Sequence, residues 1–63
     1  MTTMIIDNKA NAIKSIEVYE IDRYEYQTIA DLEELAFDCL NEEVYLIRMF
    51  ENGKELFTMR NYR

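Results

Sequence analysis

The sequence predicts an α+β fold, with one helix packed on a three- or four-stranded antiparallel sheet in the order (β)βαββ. Three observations lead there. An Asn52-Gly53 pair separates two β-prone runs, Val44 to Glu51 and Lys54 to Tyr62. An apolar stripe at helical spacing runs from Thr28 to Asn41. Ile16 and Val18 alternate with Ser15, Glu17 and Tyr19 in the stretch Ile13 to Ile21, the period of a strand. With 63 residues, the chain is expected to be a single small domain spanning residues 1–63.

The first segment, Met1 to Asn11, is the least defined. Met4, Ile5 and Ile6 are consecutive and apolar, and Asp7 to Asn11 carries turn-forming residues, so a frayed end or a short edge strand is expected. Ile13 to Ile21 follows as a strand whose alternation slips at Tyr19 and Ile21, which implies a bulge or strand end near Glu20. Asp22 to Gln27 then continues that strand or forms an exposed loop carrying Tyr24 and Tyr26.

The helix starts at Thr28, where Thr28 and Asp31 have capping-box spacing, and ends by Asn41. Ile29, Leu32, Leu35, Ala36, Cys39 and Leu40 form its inward stripe, with Phe37 at the edge. Asp31, Glu34 and Asp38 face outward, Glu33 flanks them, and Glu42 and Glu43 follow. No Lys or Arg separates Thr28 from Val44.

Asn and Gly both tolerate the positive φ that a two-residue type I′ turn requires, so the last two runs form a hairpin. A regular register pairs Glu51 with Lys54, Phe50 with Glu55, Met49 with Leu56 and Ile47 with Thr58. Both faces of that hairpin are then apolar: Val44, Leu46, Phe50, Phe57 and Met59 on one, Tyr45, Ile47, Met49, Leu56 and Tyr62 on the other. One helix can cover only one of them, so the second is expected to meet a partner.

Composition bounds the chemistry. Without His, the chain lacks the commonest general base and most zinc sites. Cys39 has neither a second Cys nor a His beside it and is expected to be a structural thiol. The single Gly belongs to the turn, so no phosphate loop is present, and the acids do not have calcium-loop spacing. No catalytic residue, cofactor or metal is therefore assigned, and a non-enzymatic protein is expected. The 13 acidic residues against 7 basic ones argue against direct nucleic-acid or membrane binding and for a protein partner with a basic surface. No signal-peptide pattern or bilayer-length apolar run is seen, which leads to the expectation of a cytoplasmic location.

The candidate contact residues are the acids Asp31, Glu34, Asp38 and Glu42 and the aromatic and apolar set Tyr24, Tyr26, Tyr45, Ile47, Met49, Leu56 and Tyr62. In size and acidity the chain is similar to the small acidic proteins that phages and mobile elements use against host nucleases and polymerases (anti-CRISPR, anti-restriction and polymerase-inhibitor proteins). That likeness is one of type and transfers no residue roles. It implies an inhibitor acting by protein–protein contact. The alternative expectation is a homo-oligomeric structural or regulatory subunit, a dimer formed through the C-terminal hairpin.

Overall fold

A computed structural model describes residues 1–10 and 13–61. Strands β1 (Thr2–Ala10) and β2 (Ile13–Ile21) precede helix α1 (Ile29–Asp38), and β3 (Val44–Glu51) and β4 (Lys54–Arg60) follow it. The sheet is antiparallel in the order β2-β1-β3-β4. The α+β class and the strand–strand–helix–strand–strand order are those the sequence predicts.

The N-terminal segment departs from expectation. It is not a short edge strand but a nine-residue interior strand, hydrogen-bonded to β2 on one side and β3 on the other. Its even residues Thr2, Met4 and Ile6 are buried beneath the helix, and its odd residues Thr3, Ile5 and Asp7 face the other way, half-buried. Apolar residues at both parities hide the period in the sequence, because an interior strand has cross-strand neighbours on both sides.

The hairpin turn is as predicted, with φ of 51° at Asn52 and 82° at Gly53. The register is not. Glu51–Lys54 and Phe50–Glu55 pair regularly, but Met49 then pairs with Phe57, Arg48 with Thr58 and Ile47 with Met59. Leu56 is the extra residue of a β-bulge. The bulge turns Phe57 and Met59 to the side of Ile47 and Met49, and all four join the core with Leu56 beside them. A second bulge does the same in β3. Asp7 pairs with Leu46 and Asn8 with Val44, so Tyr45 is skipped, and Val44 and Ile47 share the buried side. The two bulges thus sort a strand pair that looks apolar on both faces.

The capping box forms as predicted: Asp31 N–H donates to Thr28 Oγ1 at 3.3 Å, and Thr28 N–H donates to Asp31 Oδ2 at 3.0 Å. The helix ends at Asp38, three residues before Asn41, and Cys39 N–H closes back on the carbonyls of Ala36 and Phe37. Leu32 and Ala36 are fully buried, and Leu35, Cys39 and Leu40 pack at the margin of the core. Ile29, expected inside, is 52% exposed at the first helical turn.

Between β2 and α1 the chain makes a 3-10 turn, Arg23–Glu25. Tyr26 then drops into the core, and its hydroxyl hydrogen-bonds to Thr2 Oγ1 and donates to Glu51 Oε2 at 3.4 Å. Arg23 stacks on the Tyr26 ring at 4.6 Å and donates to its carbonyl at 2.6 Å. This places the helix over β1, β3 and β4 rather than over β2.

Because Ile47 is fully buried, Ile47→Glu is expected to unfold the chain. An unpaired charge in the core costs several kcal/mol, against roughly 3–5 kcal/mol for a core of this size. Circular dichroism should show loss of the cooperative melt. A folded Ile47→Glu protein would contradict the burial described.

Candidate functional site

Two surfaces carry chemistry, and each follows from where the helix lies. The helix covers the β4 side of the sheet, so the helix-facing side of β2 is left standing as the wall of a groove. That groove, about 490 Å³, has Met4, Ile6, Val44 and Leu35 at its base and Cys39 on the helix side. Its rim carries three carboxylates, Glu17, Glu25 and Asp38, and among the described residues no Lys or Arg lines it.

Glu17 is held ionised. Asn8 Nδ2 donates to it at 2.6 Å and Tyr19 Oη at 2.9 Å, and these hydrogen bonds, Asn8's first, lower its carboxyl below the usual value. The same bond to Glu17 is the main reason that the Tyr19 hydroxyl holds its proton more tightly than usual. Burial, followed by the negative charges of Asp38 and Glu17, pushes the Cys39 thiol up, so it is a poor nucleophile. The sequence does not single out Glu17 as a site residue. Its link to Asn8 becomes visible only once β1 is known to be the neighbour of β2.

The outer surface of α1 extends the acidic character. Glu33, Glu34, Asp38, Glu42 and Glu43 are exposed, and Phe37, 67% exposed, stands one turn from Glu33 and Glu34. No cation lies between Arg23 and Arg48 in the chain. Lys9, Lys14, Arg48 and Arg60 all fall on the opposite face of the sheet, by the alternation of the paired strands.

The contact residues expected from the sequence divide four ways. Glu34, Asp38 and Glu42 are exposed on the acidic side, Tyr24 is 86% exposed on the 3-10 turn, and Tyr45 is 54% exposed at the β3 bulge. Asp31 is committed elsewhere: its carboxylate accepts the Gln27 and Thr28 N–H groups, which also lower its pKa. Ile47 and Met49 are fully buried, Tyr26 is 7% exposed and Leu56 packs against the core, so these four hold the fold rather than face a partner. Tyr62 lies outside the described residues. The hairpin therefore does not offer the aromatic face expected of it; Leu46, Arg48 and Phe50 occupy its uncovered side instead.

Among the described residues no three His, Cys, Asp or Glu side chains are grouped to hold a metal ion, and no helix is long and apolar enough to cross a membrane. The chain matches no family model, no curated protein and no solved structure.

Asp31's lowered pKa has a pH signature. Its cap contributes stability above the carboxyl's unfolded pKa, near pH 4, and loses it as pH falls through the lower folded value. The melting temperature of Asp31→Ala is therefore expected to lie below that of the wild type at neutral pH and to converge on it as pH falls below about 4. A gap that stays constant to pH 2 would exclude the cap as its cause.

Proposed function

We propose that this chain is a small, non-enzymatic binding protein that engages a basic protein surface through the helix side of the molecule. The reading rests on charge segregation. The rim of the groove and the outside of α1 carry Glu17, Glu25, Glu33, Glu34, Asp38, Glu42 and Glu43, all exposed, and among the described residues no Lys or Arg lines the groove or stands on the helix. Like charges at helical spacing, and Asp38 at the negative end of the helix dipole, cost a few tenths of a kcal/mol each. Their retention together on one side favours a role in steering a cationic partner.

The arrangement also supplies an anchor. Phe37 projects from the outside of the helix, one turn from Glu33 and Glu34. Interfaces of this type pair a buried aromatic with a charged rim. A basic surface that normally holds nucleic acid offers the matching features. The type of function this supports is an inhibitor of a nucleic-acid enzyme, of the kind phages and mobile elements direct against their hosts, working by occupying the enzyme's cationic groove.

Affinity capture from host lysate with the wild type and with Glu34→Lys/Asp38→Lys/Glu42→Lys tests this. The wild type is expected to retain one stoichiometric nucleic-acid enzyme, released at high salt, and the triple variant to retain none. Equal capture by both would overturn the acidic contact. Phe37→Ala is expected to leave stability within about 0.5 kcal/mol and to weaken the captured complex at least tenfold by titration calorimetry. A stability loss above about 2 kcal/mol would instead mark Phe37 as a core residue.

A further inference from the structure

Among the described residues nothing covers the face of the sheet opposite the helix. Ile16 is 65% and Val18 60% exposed there, and Ile5, Leu46 and Phe50 lie beside them, half-buried. We infer that this face packs against the same face of a second copy, end for end, to form a symmetric dimer with both helices outward. The surface is separate from the acidic side, and the inference does not depend on the function proposed above.

The charge pattern of the face selects a second copy. The strand pairings put Glu20 of β2 and Glu55 of β4 at one end of the face, in the same row as Thr3 and Phe50. They put Lys14 of β2 at the other end beside Lys9, with Arg60 of β4 next to that end. The face is thus acidic at one end, apolar in the middle and basic at the other. A two-fold axis lying between the sheets and perpendicular to the strands stacks β2 on β2 and β4 on β4 with their ends exchanged. Lys14 then meets Glu20 of the second copy, Ile16 meets Val18, and Arg60, in the row of Ile16, meets Thr58. Each contact occurs twice, as a closed dimer requires.

The alternative axis, along the strands, brings Glu20 over Glu55 and Ile16 over Arg60, so only the first arrangement is complementary. A uniformly basic or uniformly acidic partner would clash with one end.

Three further observations agree. The chain carries a net charge of −6, which opposes self-association through most of its surface. The open face, with Asp7, Glu20 and Glu55 against Lys9, Lys14, Arg48 and Arg60, is close to neutral. Asp7 and Arg48 form an ion pair of 3.8 Å at its centre, which leaves the middle of the face without net charge. Four strands spaced about 4.8 Å apart, with rows spanning about 25 Å, give a face of roughly 500 Å² per copy before side-chain relief. The pair then reaches about 1,000 Å², the lower bound for a specific interface. Sheets stacked this way align at about 30°.

Sedimentation equilibrium from about 1 μM to 1 mM, the range of a modest interface, tests the dimer. The wild type is expected to rise from the 7.6 kDa of one chain to twice that mass. Ile16→Glu/Val18→Glu is expected to stay at the single-chain mass with an unchanged far-ultraviolet spectrum, both residues being exposed on the edge strand. Lys14→Glu and Glu20→Lys are each expected to weaken the dimer at least tenfold, and the double charge exchange Lys14→Glu/Glu20→Lys to restore it. A wild type that remains single across the range overturns the inference, as does a dimer indifferent to the Ile16/Val18 change, which would mean edge pairing. A dimer tightened by Glu20→Lys alone would contradict the end-for-end arrangement.

Discussion

One ten-residue helix cannot shield both faces of a four-stranded sheet, and the rest of the molecule follows from that limit. At 1.5 Å per residue α1 is about 15 Å long, shorter than the sheet it lies on. It rests where Leu32 and Ala36 meet Met4, Ile6, Ile47 and Met49, and Leu56, Phe57 and Met59 extend that contact toward β4. The sequence must therefore put its largest apolar side chains on one face while keeping both strands of the hairpin continuous. The bulges at Leu56 and Tyr45 accomplish this by shifting parity once in each strand. What the helix does not reach becomes surface: the groove beside β2 on the same side, and the whole of the opposite face.

Charge follows the same division. The outside of the helix carries acids with no Lys or Arg between Arg23 and Arg48 in the chain, at a small cost to the helix itself, and the open sheet face gathers Lys9, Lys14, Arg48 and Arg60 among apolar residues. Paired back to back through the open faces, two copies would present two acidic helices on opposite sides. A small protein with a modest interface on each side would then bind a multi-site basic partner by avidity rather than by area. It would also gain stability from association, which a 63-residue core supplies only sparingly on its own.

The elements legible in the sequence are those that a few adjacent residues determine. Asn52-Gly53 specifies its turn, and Thr28 with Asp31 specifies its cap, whatever surrounds them. The N-terminal strand was not legible as an interior strand because its place depends on β3, some 40 residues away, and two-sided pairing leaves no alternation to read. The bulges left a trace that pointed elsewhere. Leu56-Phe57 in sequence, and Val44 with Ile47 three residues on, look like two apolar faces in need of cover, whereas a bulged strand produces the same pattern with one face. That ambiguity sent Ile47 and Met49 to the surface on paper and to the core in the fold. Tyr26 was misplaced for a related reason: its burial rests on Thr2 and Glu51, both far away in the chain. The exposed acids were legible because charged side chains on a short helix with one buried stripe have nowhere else to go.

The most direct test of this two-sided account is a dilution series followed by methyl NMR with labelled isoleucine δ1 groups, which sample each surface separately. The account predicts that Ile5 and Ile16 on the open face shift with concentration, while Ile47 in the core and Ile29 at the helix start hold still. Shifts at Ile29 with Ile5 and Ile16 unchanged, or no concentration dependence at any isoleucine, would contradict it.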